Sequence, residues 1–266
     1  MKTEQLDFGA MVTFYERVVD PLTLPIGLRA VELCNLAAGE KIIDVAAGTG
    51  ALAAEVARRG ISALATDIEP TMVARSAERL KPFSQCAAQI MSFEALDVPD
   101  SSMDAALSIF GVLAFPRGET GLKELVRVTR KGGRVAVGAW DQERPAAPQY
   151  LAYDVFSKLF PGQQLWPADF FPVWPKAAVA AALQDAGCGL IEVHDVRGEW
   201  LVERPVDVMK DSGASIRMFP GYRTLNEHER TEFDNAFVAA ISRLRDASGM
   251  ARIQTHAFIV FGEKSA

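Results

Sequence analysis

The chain has 266 residues, 49% of them hydrophobic and 23% charged, which suits one folded globular domain with an appended lobe. Its net charge of −6, with no basic stripe, argues against nucleic acid as a partner, because proteins that bind phosphate backbones cluster Lys and Arg. No apolar run approaches membrane-spanning length, and Met1–Glu4 lack a secretory pattern, so we expect no membrane partner. Three distant cysteines indicate reduced thiols and predict a cytoplasmic location.

An apolar run beginning at Lys41 ends at Asp44 and Val45 and is followed by a loop of small residues and a predicted helix. Gly48 and Gly50 in that loop tolerate positive φ and let a ligand approach the backbone. The helix after them offers unpaired N–H groups and the positive end of its dipole. We therefore expect a nucleotide-type binding loop at the carboxyl end of a first parallel strand.

The residues around this loop narrow the class of ligand. The Walker A lysine is absent, and Ala53 stands where the dinucleotide fingerprint has its third glycine, which is a mild departure. Asp44 would repel a pyrophosphate, whereas it suits a cationic ligand. The pattern therefore favours a positively charged adenosyl compound over NAD.

A second apolar run, from Ile61, ends in Asp67 and precedes a helix predicted over Pro70–Leu80. An acid at this strand end can accept the hydroxyls of a ribose. The alternative is an acid at a helix N-terminus, where the dipole favours it. The neighbouring glycine loop favours the ribose interpretation.

Four segments in this order resemble the class I S-adenosylmethionine-dependent methyltransferases, and most closely their small-molecule, ubiquinone/menaquinone-biosynthesis-like branch. These segments are Val45–Gly50, Thr66–Ile68, Met91–Asp100 and Met103–Pro116. The resemblance covers most of residues 10–140 and, more loosely, residues 254–264. It implies an α/β fold with a Rossmann-like, doubly wound sheet of seven strands in the order 3-2-1-4-5-7-6, strand seven being antiparallel, with cap insertions.

The same resemblance implies S-adenosylmethionine as the cofactor, S-adenosylhomocysteine as its product, and a set of cofactor-binding residues. The implied residues are Tyr15, Asp44, Ala46, Ala47, Gly48, Thr49, Gly50, Asp67, Ile68, Met72, Met91, Ser92, Phe93, Ile109 and Phe110. Ser92 stands where the family has an acid that accepts the adenine amino group, so its hydrogen bond lacks charge assistance. The alternative for Tyr15 is a surface helix whose aromatic face packs on the domain.

Four parts of the chain are predicted. Residues 1–40 form an N-terminal helical cap, 41–140 the cofactor-binding core, 141–225 a substrate cap containing strand six (189–197), and 226–266 a last helix and strand seven (254–263). Within the core, Leu122–Arg130 has a helical pattern, Lys131–Arg134 reads as a turn that ends this helix, and a strand follows over Val135–Trp140. Further helices are predicted over Ala177–Ala186 and Leu225–Arg245.

Methyl transfer from a sulfonium is an in-line displacement, so the protein mainly supplies positioning, and a general base is needed only for a protonated acceptor. His and Cys are too sparse for a zinc site, and no metal is expected. The candidates for a base are His256, His194, Tyr153 and Tyr222, with Tyr150, Asp154, Arg223 and His228 also open. For His194 and His256, a structural histidine within a strand is the commoner outcome.

Aromatic residues after the core favour a small, at least partly apolar acceptor. The accepting atom and the oligomeric state stay open. Two other functions also stay open: an S-adenosylmethionine-using enzyme with non-methylating chemistry such as cyclisation, and a catalytically silent cofactor-binding protein.

Overall fold

The computed structural model describes residues 12–141 and 147–265 of the chain. The pattern noted at Met1–Glu4 and most of the connection after Asp141 lie outside those residues. One sheet has the strand order β3-β2-β1-β4-β5-β7-β6, which confirms the predicted topology. Its strands are β1 Lys41–Val45, β2 Ser62–Asp67, β3 Ala87–Ile90, β4 Met103–Ile109, β5 Thr129–Trp140, β6 Cys188–Val202 and β7 Ala251–Lys264.

Strands β1 to β5 run parallel, while β7 is antiparallel to both of its neighbours, β5 and β6. Strand β1 has β2 on one side and β4 on the other, so the order of the sheet reverses there. In open α/β sheets, ligands bind in the crevice beyond the carboxyl ends of the strands at such a reversal. The carboxyl ends of β1, β2 and β4 therefore mark the expected site.

Helices cover both faces of the sheet. They are α1 Val12–Phe14, α2 Asp20–Leu33, α3 Ala51–Arg58, α4 Pro70–Leu80, α5 Gly118–Val128, α6 Pro148–Leu159, α7 Lys176–Asp185, α8 Val208–Ile216, α9 Pro220–Thr224 and α10 Glu227–Ser242. Helices α2 and α3 share one apolar core with the sheet, and α5 and α7 share another on the opposite face. A π-helical segment, Tyr15–Val19, joins α1 to α2.

A third apolar core lies in a cap built mainly from α6, α8, α9 and α10. The strands under this cap are longer than predicted, because β6 reaches Val202 and β7 begins at Ala251. Residues 197–202 of β6 and 251–256 of β7 pair with each other beyond the last paired residues of β5 and β7. Trp200 and Ala251 from this two-stranded ribbon are buried in the cap core, and this packing explains why the strands continue past the sheet.

The junction of α5 and β5 also differs from the prediction. The helix ends at Val128 instead of Arg130, and β5 begins at Thr129 instead of Val135. A register shift against β4 accommodates residues 130–133, with Gly132 at φ +65°, so the expected turn exists as an irregularity within the strand. The Thr129 hydroxyl donates to the carbonyl of Leu125 and closes the end of the helix.

The last helix, α10, is shorter than predicted and begins with a capping box. The Asn226 side chain accepts from the N–H of Glu229, and the Glu229 carboxylate accepts from the N–H of Asn226. By contrast, α4 has the predicted bounds. Across the described ranges 12–141 and 147–265, no helix combines the length and apolar character needed to cross a bilayer.

Candidate cofactor and active site

The loop after β1 turns sharply because three of its residues have left-handed backbone. These residues are Ala46 at φ +56°, Gly48 at φ +55° and Gly50 at φ +75°. At Gly50 a side chain is excluded for a second reason, since a Cβ there would lie 3.0 Å from the Cα of Ser76 on α4. The glycine therefore lets α3 and α4 pack closely behind the loop.

Asp67 ends β2 beside this loop. Its carboxylate accepts from the N–H of Gly48 at 2.8 Å and from the N–H of Glu69 at 3.0 Å. Burial raises the pKa of Asp67, whereas these backbone donors lower it. The carboxylate is thus fixed at the carboxyl end of β2, as the sequence predicts.

Asp44 has a different place from the one its motif suggests. It lies buried beneath the loop and accepts a hydrogen bond from the N–H of Ala53 in the first turn of α3. Burial, and then the charge of Asp67, raise the pKa of Asp44 to about 7. Asp44 is therefore a buried support of the loop, linked by its hydrogen bond to the start of α3.

The end of β4 fits closely against the loop after β1. The Ser108 hydroxyl donates to the carbonyl of Val45 at 2.7 Å and accepts from the N–H of Val112 at 3.0 Å. A Cβ at Gly111 would lie 2.8 Å from both the Ala46 Cβ and the Val45 carbonyl oxygen. Ser108 and Gly111 thus join the two strand ends, a role that the sequence reasoning missed although both stand in the fourth motif.

Phe110 follows Ile109 at this strand end and has φ +60°, a region that bulky residues rarely occupy. Its N–H donates to the carbonyl of Gly138 at 2.8 Å, which holds the backbone in place. Its ring lies 4.3 Å from the ring of Trp140, centroid to centroid, with the planes 38° apart. Strained backbone of this kind clusters at functional sites.

Residues after β3 lie on the other side of Asp67. The Met91 N–H donates to the carbonyl of Asp67 at 2.9 Å. The Ser92 hydroxyl accepts from the N–H of Glu94 at 3.2 Å, and the Phe93 ring packs against Phe115 with centroids 6.2 Å apart. Ile68 is 61% exposed, so the edge carries an open apolar side chain next to Asp67.

Besides Asp44, three of the expected residues are buried, whereas the others are at least partly exposed. Met72 is a buried residue of α4, 1% exposed, so its burial does not support a direct cofactor contact. Thr49 and Gly50 are also buried. The partly exposed stretch of the loop is Ala46, Ala47 and Gly48.

The π-helical segment carries Tyr15, for which a cofactor contact is predicted. A Cβ built on Gly48 would lie 3.4 Å from Cε1 of the Tyr15 ring, so this ring covers the glycine. Burial, and then the charges of Asp67 and Asp20, raise the pKa of the Tyr15 hydroxyl well above its ordinary value. The packing brings Tyr15 to the loop, together with Asp20, which the sequence reasoning missed.

The two strand histidines are not brought to the end of β4. His194 is level with Ile259 and Gly138, but β6 lies three strands from β4, a separation of about 14 Å. Its ring nitrogen instead contacts the Glu192 carboxylate at 2.9 Å. His256 lies nearer to the carboxyl ends of the parallel strands, next to Ala257, which pairs with Trp140. Because neighbouring residues of a strand face opposite sides of the sheet, the His256 side chain lies on the other side from Trp140.

The tyrosine candidates belong to the cap. The Tyr222 hydroxyl donates to Asp234 at 3.0 Å, which gives it a structural contact within the cap. The Tyr153 ring lies 4.8 Å from that of Trp166, and the Tyr150 ring lies 6.3 Å from it. Among the residues that the structure describes, no group of three His, Cys, Asp or Glu side chains is placed to hold a metal ion.

Comparisons with known proteins agree with this geometry. A methyltransferase domain model matches residues 43–137. The chain is 34% identical over 125 residues to a demethylmenaquinone methyltransferase of Tropheryma whipplei, a match that covers 47% of this chain and 52% of that protein. The chain thus spans about half the length of the curated relatives it matches.

Solved structures share the fold over most of the chain. A putative methyltransferase from an antibiotic biosynthesis pathway of Anabaena variabilis has a TM-score of 0.63 and 21% identity, over 90% of this chain and 96% of that one. The cyclase SpnF has a TM-score of 0.54 and 18% identity, over 91% of this chain and 82% of that one. Residues 43–137 thus match a methyltransferase domain, and the chain shares its fold with these solved structures.

Proposed function

We propose that the protein transfers the methyl group of S-adenosylmethionine to a small, at least partly apolar acceptor. The observation that carries the proposal is the Asp67 carboxylate, held by backbone N–H groups beside a left-handed glycine loop. A carboxylate has about four acceptor positions, so Asp67 retains capacity for ribose hydroxyls. Ile68 and the backbone after Met91 would then border the adenine.

In this proposal the protein acts mainly by positioning. The bound cofactor supplies an electrophilic methyl group on a sulfonium. The loop at Ala46–Gly48 and the end of β4 at Ile109 would hold the amino-acid side of the cofactor, and Asp67, with Asp44 when it is ionised, would provide negative charge near a cationic ligand. Alignment of the donor and the acceptor can supply a large part of the rate enhancement.

The acceptor would lie between the carboxyl edge of the sheet and the cap. Phe110 and Trp140 form an aromatic surface there, and Trp140 packs against both the sheet core and the cap core. Aromatic and aliphatic walls favour an apolar acceptor that is shielded from water. The neighbouring cap rings of Tyr150 and Tyr153 add hydroxyls that can orient it.

A second candidate function is non-methylating chemistry on the same fold. It is favoured by the likeness to a cyclase and by Ser92, which replaces the acid of the adenine side. The two functions differ in product, since methyl transfer releases S-adenosylhomocysteine. Methylthioadenosine would instead indicate attack on the aminobutyryl arm, and tight cofactor binding without turnover would indicate a silent binding protein.

The test combines calorimetry with product analysis. We expect Asp67→Asn to weaken S-adenosylmethionine binding by about 10- to 100-fold, because it removes charge-assisted hydrogen bonds. The matched control is Asp104→Asn at the amino end of the sheet, where the carboxylate accepts from the N–H of Lys41 and binds Arg130. Equal affinity in the wild type and Asp67→Asn would contradict the proposed site.

A further inference from the structure

The segment that precedes α2 crosses the cofactor loop and is tied to α4 by ion pairs. The Glu16 carboxylate accepts from Nε of Arg75 at 2.5 Å and from Nη2 of Arg79 at 3.0 Å. The Asp20 carboxylate lies 2.7 Å from the same Nη2. Two acids on one side of the N-terminal helix thus meet two arginines on one side of α4.

The same cluster reaches the loop itself. The Thr49 hydroxyl donates to the carboxylate of Asp20, with distances of 2.8 and 2.9 Å to its two oxygens, and accepts from Nη1 of Arg79 at 3.1 Å. Thr49 lies between Gly48 and Gly50, the two glycines with left-handed backbone. Because these contacts hold Thr49, their loss would directly change the conformation or mobility of the loop.

The segment also carries a cover for the loop and a tie to the cap. Tyr15 lies over Gly48, at the start of the π-helical segment. On the other side of the same segment, the Arg17 guanidinium contacts the Asp211 carboxylate of α8 at 3.1 Å. π-Helical turns inside α-helices are frequent at functional sites.

The ion pairs are only partly buried, which is compatible with contacts that break and form again. The side chains of Arg79, Asp20 and Glu16 are 20%, 14% and 30% exposed, so they are neither fully solvated nor sealed. Water can replace their partners as they separate, which spares the large cost of isolating a buried charge. Partly buried charges are also screened less by salt than surface pairs are.

We propose that residues 15–20 form a strap over the cofactor loop, latched by Glu16 and Asp20 to Arg75, Arg79 and Thr49, and that the cofactor enters and leaves when this latch opens. The inference rests on the proposed cofactor site at the loop. The latch residues are positioning residues, since they act through the strap and the loop.

Hydrogen exchange on the chain without cofactor tests the latch by itself. In Glu16→Gln and in Arg79→Met we expect the amides of residues 15–20 to exchange about tenfold faster, as a loss of about 1.4 kcal/mol of latch free energy implies. The amides of the sheet should be unchanged. The control is Arg29→Met on α2, because Arg29 pairs with Glu32 of the same helix and lies outside the latch.

Stopped-flow binding of S-adenosylhomocysteine tests the gate. If the latch limits passage, association and dissociation rates should both rise about tenfold in Arg79→Met, while their ratio changes much less. Glu16→Gln conserves size on a partly exposed side chain, so it serves if Arg79→Met fails to fold. Slower association with faster dissociation would indicate lost contacts instead of gating and would overturn the proposal.

The two measurements separate failure of the latch from failure of the proposed function. Unchanged exchange of residues 15–20 in both latch variants overturns the latch, whether or not the cofactor binds. Absence of cofactor binding by the wild-type chain overturns the proposed function, and the exchange result then decides the latch alone. Equal effects in Arg29→Met would also overturn the latch, because they would show a general loosening of the helix.

Discussion

The carboxyl ends of β1, β2 and β4, which together form the cofactor edge of the sheet, and the cap are built on different principles. At the edge, the backbone sets the geometry through left-handed φ at Ala46, Gly48 and Gly50, and through N–H groups aimed at Asp67. In the cap, side-chain packing sets the geometry, and rings such as Trp166, Phe219 and Phe233 fill a shared core.

This difference decides how much each region reveals in its sequence. A backbone that needs positive φ accepts few residue types other than glycine, so the edge leaves a recognisable pattern. An aromatic core accepts many combinations of side chains of similar total volume, so the cap leaves no recognisable sequence pattern. The binding loop is therefore recognisable in this sequence, whereas the acceptor is not.

The strongest test of backbone control is Gly50→Ala. A Cβ there meets Cβ and Cα of Ser76 at 2.8 and 3.0 Å, in a backbone conformation that alanine disfavours. We expect the free energy of unfolding to fall by about 3 kcal/mol and cofactor affinity to fall more than about tenfold. Denaturant unfolding and calorimetry measure the two effects.

The matched control is Gly39→Ala. Gly39 has φ +89°, yet no atom lies within 4 Å of its Cβ position, so only the backbone cost of about 1 kcal/mol applies. Equal losses in the two variants would mean that close packing against α4 is unimportant.

The pH dependence of stability tests the buried acid of the edge. The folded-state pKa of Asp44, about 7, lies above its ordinary value of 3.8, so the folded chain holds this proton more tightly than the unfolded chain does. The stability from Asp44 is fully present below pH 3.8 and is lost as the pH rises through about 7.

Between about pH 5 and about pH 7, the wild type should lose about 2 kcal/mol of unfolding free energy relative to Asp44→Asn. Urea unfolding at both pH values measures the difference, and subtracting the variant removes the contribution of other carboxyls. Parallel curves for the two proteins would show that Asp44 titrates normally.

On the cap side, Tyr222→Phe should affect stability alone. The variant removes the hydroxyl that donates to Asp234, whose pKa is already raised by burial. We expect a loss of about 1 kcal/mol in unfolding free energy, with unchanged turnover. Tyr153→Phe is the comparison variant. A large fall in turnover with Tyr222→Phe would restore Tyr222 as a candidate base.

The smallest expected effect is a gain in cofactor affinity from Ser92→Asp. The carboxylate can still accept from the N–H of Glu94 and adds a charge-assisted acceptor for the adenine amino group. We expect cofactor affinity to rise about threefold to tenfold by calorimetry. Ser92→Asn adds the same bulk without the charge, so an equal gain there would refute the electrostatic explanation.

The sheet order was predicted through the resemblance to a known family, whereas the position of the loop and of Asp67 followed from the sequence itself, because acids and glycines end apolar runs at fixed places. The sequence also predicted the bounds of α4, since proline at the start and Pro82 after the end punctuate that helix. These signals are local, so they survive without knowledge of tertiary packing.

Other features depend on contacts between distant residues and left no local signal. The extension of β6 past Arg197, its predicted end, depends on packing of Trp200 in the cap core. The contacts of Asp20 with Thr49 and Arg79 join residues 29 and 59 positions apart, as their numbering shows. The Lys131–Arg134 stretch reads as a turn, and only pairing with β4 shows that it is an irregularity within a strand.

The π-helical turn at Tyr15–Val19 sets the direction of one aromatic ring. An α-helix rotates by about 100° per residue, and a π-helical turn holds one residue more than an α-helical turn, so winding the same residues as α-helix would rotate everything before the turn by roughly that angle. Tyr15 would then point away from Gly48, although every side chain of the binding loop was intact. Conversion of this turn to α-helix without a deletion would thus remove the aromatic cover of the site by rotation alone.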